Sequence, residues 1–313
     1  MKSSLGLLLG FLATASWGSF YIVGRWLFGE DGGGDINPYL ANLLRFCMAV
    51  ITLSPLLISS GNRELVKKAF TKDWKKFILI ALVGIVLESY FVLYALNFTT
   101  ASRCSLMANC SPIATVILAF ILLKERTSIA GVIGMLIGFA GIILAGTARG
   151  GDIYADTGLR TLIGDGMALA SGFCWAFFTV YGAKVSDEYG GPVSMFVSFL
   201  MGALLMIPVV CFTTTTRDLS CLTPRIWGGF VYTGIITLAL ANACWYAALK
   251  YLKPGVLGAF GYLSATITFT LSAIVLKEKF TLQFIIAIAL VLGGMALMMA
   301  KPGKEKAVPD KGR

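Results

Sequence analysis

Long apolar runs recur along almost the whole chain, and each has about the length that a helix needs to cross a bilayer. Hydrocarbon about 30 Å thick requires roughly 20 apolar helical residues. Ten runs meet this requirement, at about residues 5–24, 38–58, 77–97, 104–123, 129–147, 162–183, 192–212, 227–249, 256–276 and 282–300. Only 13% of the residues are charged, about half the share typical of soluble domains. The sequence therefore predicts an all-α integral membrane protein with ten transmembrane helices.

The chain also resembles itself at a nearly constant spacing. Trp17 and Gly24 match Trp175 and Gly182 at an offset of 158. Pairs at an offset of 153 are Trp74 with Trp227, Ser111 with Ser264, Lys124-Glu125 with Lys277-Glu278, and Gly141 with Gly294. This pattern predicts a duplicated five-helix unit, with one copy in residues 1–148 and the other in residues 149–301. Because five is odd, the second copy crosses the membrane in the opposite sense, so the copies are inverted repeats.

The distribution of positive charge predicts an orientation. With both termini in the cytoplasm, 17 of the 26 Lys and Arg residues fall in cytoplasmic segments and eight in external ones, which leaves Arg45 inside a span. Cytoplasmic loops of membrane proteins carry such an excess. The net charge of +10 is therefore attributed to these loops and to a basic cytoplasmic tail at 302–313, and not to nucleic-acid binding.

The residue types present exclude most catalytic chemistry. The chain has no histidine, so His bases, His-ligated metals and triads that use His are unavailable. Its seven cysteines are scattered through apolar runs and are never in C-x-x-C spacing, which is typical of small buried side chains. Lone Glu88 and the marginal Asp165 do not make an acid/base set. We expect no enzyme activity, no metal and no cofactor.

Several of these features resemble the drug/metabolite transporter superfamily, and more closely its ten-helix branch of EamA-type bacterial permeases. The resemblance rests on the two five-helix units, on Trp17 and Trp175 at equivalent places, and on the Leu-Lys-Glu sequences at 123–125 and 276–278. It implies a multi-pass inner-membrane protein that works by alternating access. It also implies a central cavity lined mainly by the third, fourth, eighth and ninth helices, with contributions from the first and sixth. Members of the superfamily move amino acids and other metabolites, quaternary amines, nucleotide sugars and phosphorylated sugars.

Glu88 is the strongest single functional candidate. It sits near the middle of the third run, where an ionised carboxylate is costly unless it is paired or hydrated. Such a group could carry a proton during transport or bind a cationic solute. Arg45 lies at a similar depth in the second run, so a purely structural ion pair between Glu88 and Arg45 is the alternative.

Other candidate residues are polar or aromatic side chains on the expected cavity faces. Asn242 and Trp245 share one stripe of the eighth run, and Phe91 shares a broad face with Glu88. Asn109 and Tyr262 are equivalent under the 153-residue offset and can both form hydrogen bonds. Trp17, Tyr21 and Trp175 form aromatic stripes that could cage a small ligand. Helix packing explains Asn242, Trp245 and the aromatic stripes equally well, and it explains the equivalent pair Asn109 and Tyr262 less well.

These features favour a secondary transporter of a small amphipathic metabolite, and the resemblance favours export of an amino acid or related solute. A transporter of choline-like or other organic cations is the alternative, favoured by Glu88 beside aromatic side chains. An integral-membrane enzyme or a scaffold would be an alternative of another class. The G-x-x-x-G sequence at 134–138 is compatible with helix pairing in a monomer or a homodimer.

Overall fold

A computed structural model describes residues 2–28, 36–99, 101–124, 127–147, 158–220, 222–252, 254–275 and 282–300. The proposed tail at 302–313, Glu125 and the second Leu-Lys-Glu sequence lie outside these residues. The part of the chain that is described is all helical and contains no strand. This is the outcome expected in lipid, because a helix satisfies the hydrogen bonds of its own backbone.

The α-helices are α1 (Lys2–Phe28), α2 (Pro38–Leu53), α3 (Ser60–Thr71), α4 (Trp74–Leu79), α5 (Glu88–Phe98), α6 (Ala101–Ala108), α7 (Ser111–Leu123), α8 (Ile129–Thr147), α9 (Leu159–Tyr189), α10 (Gly191–Thr213), α11 (Thr216–Ser220), α12 (Pro224–Val231), α13 (Ala241–Ala248), α14 (Pro254–Gly258), α15 (Phe260–Val275) and α16 (Leu282–Ala300). A short 3₁₀ segment covers Ser54–Ile58, and π-helical segments cover Ile80–Leu87 and Tyr232–Leu240.

Seven helical stretches in the described residues are long and apolar enough to cross a membrane. They are Ser4–Gly24, Pro38–Ile58, Trp74–Phe98, Arg103–Leu123, Leu159–Tyr189, Gly191–Thr213 and Pro224–Ala248. Three shorter apolar helices cover Ile129–Leu144, Val256–Leu271 and Ile285–Met298. The protein is therefore a multi-pass, all-helical membrane protein.

Two of the spans contain π-helical segments at corresponding places. In Trp74–Phe98 the π segment ends at Leu87 and Glu88 follows it, and in Pro224–Ala248 it ends at Leu240 and Ala241 follows it. Glu88 and Ala241 are 153 residues apart. A π turn withdraws carbonyl groups from the ordinary i to i−4 pattern, and such turns are frequent at functional sites.

The stretch Arg103–Leu123 is broken in its middle. Helix α6 ends at Ala108 and α7 begins at Ser111, with Pro112 in its first turn. Proline removes the N–H that would bond to the carbonyl four residues earlier, so the Ala108 carbonyl loses its helical partner. The break therefore lies where a proline inside a helix disrupts the backbone hydrogen bonds. A second break, at Ala259, separates α14 from α15.

The first long helix of each half of the chain packs into the other half. Helix α1 packs mainly on α13 and α15, whereas α9 packs mainly on α5, α6 and α7. Helices α8 and α16 pack tightly on each other, because Gly134 and Gly294 have no side chain to separate the two backbones. The bundle is thus interlocked around its centre, and the centre holds the candidate site.

Candidate functional site

A pocket with about 90 Å³ of interior space open to water lies at the centre of the bundle. It is bounded by α1, α2, α5, α6, α7, α9, α13 and α15 together with the second π segment. Its walls contain seven of the ten predicted site residues, namely Trp17, Tyr21, Arg45, Glu88, Asn109, Trp175 and Asn242.

Three tryptophans from three helices form one wall of this pocket and the layer behind it. The ring centroids of Trp17 and Trp175 are 4.6 Å apart, and Trp245 lies 5.0 Å from Trp17 and 5.6 Å from Trp175. Trp17 Nε1 donates to the Thr237 carbonyl, at 2.9 Å, inside the second π segment. That hydrogen bond orients the Trp17 ring, so the π turn directly positions an aromatic wall of the pocket.

Two asparagine side chains present amide oxygens at the pocket. Asn242 Nδ2 donates to the Leu238 carbonyl at 2.7 Å, and Asn109 Nδ2 donates to the Ser105 carbonyl at 2.7 Å. A carbonyl can only accept, so each amide must turn its NH₂ toward its own helix. The Asn242 oxygen is buried without a hydrogen-bond partner in the described part of the chain, and the Asn109 oxygen lies beside Gly261. Both oxygens are acceptors suited to a donor on a ligand.

Arg45 and Glu88 place one positive and one negative charge in the same pocket. Arg45 Nη1 donates to Asn42 Oδ1 at 3.2 Å, its guanidinium lies 4.8 Å from the Phe20 ring centroid, and its Nε has no partner within the described residues. Glu88 Oε2 accepts from Ser89 Oγ at 3.2 Å.

The direct Arg45–Glu88 salt bridge that similar depths would allow is not formed between these two described side chains. Instead, each group is held by residues next to it on its own helix, Asn42 and Ser89. Their charges are still close enough to interact through space. Both therefore remain available to a solute in the pocket.

Three predicted site residues do not line this pocket. Phe91 packs on Tyr90, with ring centroids 5.8 Å apart, because the lining face of α5 runs through Glu88, Ser89 and Val92. Trp245 is 0% exposed and lies behind the other tryptophans. Tyr262 is also 0% exposed, and its hydroxyl donates to the Met135 carbonyl at 3.1 Å.

Several lining residues were not among the predicted site residues, although the internal repeat contains a signal for them. The unpredicted lining residues are Phe20, Ser89, Val92, Ala108, Ser111, Ser171, Gly172, Thr237, Leu238, Gly261 and Ser264. Ser89 is 153 residues before Asn242, Ala108 is 153 before Gly261, and Ser111 is 153 before Ser264. Both members of each pair line the pocket, as do Trp17 and Trp175. The offset carries Asn242 onto Ser89, so the repeat itself points to Ser89.

A bundle of apolar helices around a central pocket with buried polar groups is the design of a membrane transport protein. Residues 4–147 and 162–300 match the EamA-like transporter family, and the chain belongs to this family.

The names of two relatives agree with that membership, and a solved structure has the same fold. The chain is 28% identical to the "Uncharacterized transporter YetK" of Bacillus subtilis over 95% of this chain and 87% of the relative. It is 26% identical to the "Riboflavin transporter ImpX" of Fusobacterium nucleatum over 80% of this chain and 83% of the relative. A crystal structure with 21% identity has a TM-score of 0.73 and covers 95% of this chain and 97% of its own. The family and the relatives' names indicate a transporter and not an enzyme.

Proposed function

We propose that the protein is a secondary transporter that moves a small amphipathic metabolite, an amino acid or related solute, across the inner membrane by alternating access. The observation that carries this proposal is the central pocket, which contains a guanidinium and a carboxylate that are not bonded to each other. Unpaired charges at membrane depth are costly, and they usually mark a substrate or ion pathway. A solute that brings both opposite charges reduces that cost when it binds.

The ten-span, inverted-repeat arrangement is part of the same proposal. It is supported by the two separate family matches, by the π segments at equivalent positions, and by the four pairs of pocket residues related by the offsets. Inverted repeats place the site near the midplane, and rocking of one unit against the other exposes it to each side in turn. Both termini are placed in the cytoplasm, and export is the proposed direction.

A zwitterion complements the chemistry of this pocket at both ends. A solute carboxylate can pair with the Arg45 guanidinium, which still has unused donors. A solute ammonium can be bound by Glu88 and by the amide oxygens of Asn109 and Asn242, with Trp17 and Trp175 supplying aromatic faces for a cation. An α-amino acid carries both groups.

An organic cation is the second candidate, because Glu88, the two amide oxygens and the tryptophans suffice to bind an ammonium group. It would leave Arg45 without a counter-charge. Riboflavin, the solute named for the Fusobacterium relative, is a third chemistry to test. Whether the solute is an amino acid or an organic cation, Glu88 can also bind and release a proton during transport. Proton coupling through Glu88 is therefore part of the proposal.

A thermal-shift screen of the purified protein separates these solute classes. A ligand that binds only the folded state raises the melting temperature. The panel is matched by structure: an amino acid, the amine that lacks its carboxylate, the acid that lacks its amine, choline and riboflavin. We expect the largest shift from the amino acid, and counterflow of the same solute in liposomes. A shift from the amine or choline alone would favour the cation, and no shift or flux from any member would contradict the proposal.

A further inference from the structure

Helix α9 is bonded to the N-terminal half of the chain near both of its ends, and the pocket lies between these bonds. At one end, Asp165 binds Arg103 and Thr99, which define the Asp165 cluster. At the other end, Glu188 and Tyr189 contact Lys68, Asp73 and Lys76, which define the Glu188 cluster. Asp165 and Glu188 are separated by roughly 35 Å of helix, at about 1.5 Å per residue.

The Asp165 cluster is buried. Asp165 forms an ion pair with Arg103 through both carboxylate oxygens and also accepts from Thr99 Oγ1 at 3.2 Å. The side chains of Arg103 and Asp165 are only 6% and 11% exposed. Gly164, next to Asp165, lies directly against Phe98 and Thr99. Separation of α9 from α5 and α6 at this end would leave a buried charge without its partner, which is strongly unfavourable.

The two ion pairs of Glu188 have the same kind of chemistry but are open to water, whereas Tyr189 in the same cluster is buried and packs on Phe77, with ring centroids 5.1 Å apart. Lys68 Nζ lies 2.8 Å from Glu188 Oε1, and Lys76 Nζ lies 3.2 Å from Glu188 Oε2. Lys76 also pairs with Asp73, whose carboxylate accepts from the Tyr189 hydroxyl. The side chains of Lys68 and Glu188 are each 40% exposed. Exposed ion pairs contribute little, because water can replace the lost partner.

The pocket residues Ser171, Gly172 and Trp175 lie on α9 between the two clusters. Motion of either end of this helix away from the N-terminal half would therefore open the pocket toward that end. Separating the Glu188 end breaks exposed ion pairs and the packing of Tyr189 on Phe77, whereas separating the Asp165 end breaks a buried ion pair and leaves an unpaired charge. The two ends differ in the cost of opening.

We infer that the two clusters are the closing contacts at the opposite ends of the transport pathway, and that the pathway opens first at the Glu188 end. This inference rests on the proposed alternating access. In the proposed orientation the Glu188 end faces the cytoplasm, so the empty protein would accept its solute from inside. The Asp165 cluster would open only after the Glu188 cluster has closed again.

Sided labelling of one pocket position tests this inference without knowledge of the solute. Ser264→Cys places a thiol in the pocket, in a stretch from Pro254 to Lys277 that contains no native cysteine. A membrane-impermeant maleimide is applied from either side of sealed vesicles, and mass spectrometry of that peptide gives the labelling rates. We expect faster labelling from the Glu188 side in the otherwise unchanged protein.

Variants of each cluster should shift this ratio in opposite directions. Glu188→Gln or Lys68→Gln should raise labelling from the Glu188 side about two- to fivefold, the factor expected for loss of an exposed ion pair. Lys67→Gln is the matched control, because Lys67 is exposed on the same helix and forms no salt bridge within the described residues. Asp165→Asn should raise labelling from the opposite side and lower it from the Glu188 side.

A second variant keeps the test valid if Asp165→Asn does not fold. Replacing both charges, as Arg103→Met with Asp165→Leu, removes the pair without leaving an unpaired charge, and we expect the same direction of change. The two clusters are not the closing contacts if the ratio of labelling rates from the two sides is the same in all variants. The same conclusion follows if Lys67→Gln changes this ratio as much as Lys68→Gln does. A folded protein that is labelled from neither side in any variant contradicts alternating access itself.

Discussion

Arg45 and Glu88 each retain hydrogen-bonding capacity that the protein does not use. Asn42 and Ser89 hold them by one contact each, and Phe20 covers one face of the guanidinium. This differs from a buried ion pair that only fastens two helices, in which each group would be bonded to the other. At the residue scale the two groups therefore behave as separate binding elements, and they can be tested separately.

Glu88→Gln and Arg45→Met should affect different solutes. Glu88→Gln keeps the side-chain volume and loses the charge, so affinity should fall about 10- to 100-fold for amino acids and amines alike, as for loss of a charged hydrogen bond. Arg45→Met should lower affinity for amino acids only, because an amine has no carboxylate to lose. Titrations followed by melting temperature measure both, with Tyr94→Phe, outside the pocket, as the control.

Transport measurements extend the Glu88 test to coupling. If protons pass through Glu88, Glu88→Gln should flatten the dependence of flux on pH between roughly pH 5 and 8. A variant that folds and transports at the wild-type rate throughout that range would exclude both the coupling role and the cation-binding role of Glu88.

Asp73 makes a pH-dependent contribution outside the membrane-spanning segments. The hydrogen bond from Lys76, and then that from Tyr189, lowers the pKa of Asp73 below its ordinary value of 3.8. A carboxylate with a lowered pKa in the folded state stabilises the protein above the unfolded-state pKa, and this stabilisation is lost as the pH falls through the folded-state pKa.

Asp73→Asn should therefore lower the melting temperature near neutral pH, and the difference from wild type should shrink as the pH falls below about 4. Melting curves across that range measure this difference, with Glu64→Gln, at an exposed carboxylate on α3, as the control. A difference that stays constant with pH would show that the Asp73 charge is not responsible.

At the element scale, the close crossing of α6 and α9 shapes one wall of the pocket. A methyl group added at Gly172 would lie 2.5 Å from the Ala108 carbonyl oxygen, which belongs to the backbone and cannot move aside like a flexible side chain. This is the carbonyl that Pro112 leaves without a helical partner. The broken helix and the glycine are therefore parts of one contact.

Gly172→Ala should force α9 away from α6. We expect the free energy of unfolding to fall by about 1–3 kcal/mol, the melting temperature to fall with it, and bound ligand to raise the melting temperature by less than in the wild type. Gly166→Ala is the matched control, because Gly166 lies on the same helix with no atom within 4 Å of the added methyl. Alanine is the better helix former, so this control should be neutral or slightly stabilising. Equal effects of the two substitutions would exclude the crossing as the cause.

Sequence patterns and structure agree best for whole spans and least well for their interruptions. The length of the apolar runs locates the spans Trp74–Phe98 and Pro224–Ala248, because a helix that crosses the bilayer needs about 20 apolar residues. It does not reveal the π segments inside them, because helical and π-helical turns bury similar side chains. Pro112 marks the break in the fourth run by a local steric rule, whereas the break at Ala259 has no comparable signal.

The same distinction explains which site residues could be predicted. Glu88 and Arg45 are conspicuous because charge in an apolar run is rare. Tyr262 and Trp245 were predicted to face the pocket but pack inside the bundle. A stripe of side chains on one helix does not show whether a pocket or a neighbouring helix lies against it. The π turn before Ala241 further changes the face that α13 presents, which a regular 100° period does not include.

At the scale of the whole molecule, α1 packs into the C-terminal half and α9 into the N-terminal half. The pocket is consequently shared, with Trp17 and Trp175 meeting across it. Neither half encloses the pocket alone. A relative motion of the two halves must therefore change the pocket walls, which is the coupling that alternating access requires.

The inverted arrangement predicts that equivalent loops lie on opposite sides of the membrane. The loop after the second span and the loop after the seventh correspond under the 153-residue offset. Parallel copies would place these loops on the same side of the membrane, whereas an odd number of spans between them places them on opposite sides. In the proposed ten-span arrangement five spans separate the two loops, and the positive charges of Arg63, Lys67 and Lys72 favour the cytoplasm for the first loop.

Gly61→Cys and Thr216→Cys report on these two loops. Both positions are exposed, and Gly61 has no neighbour closer than Ser59 Oγ at 3.9 Å. In intact cells an impermeant thiol reagent should label Thr216→Cys and should reach Gly61→Cys only after the membrane is opened. Labelling of both positions from the same side would mean an even number of crossings between them. The two copies would then point the same way, and a pocket that opens alternately between inverted halves would be excluded.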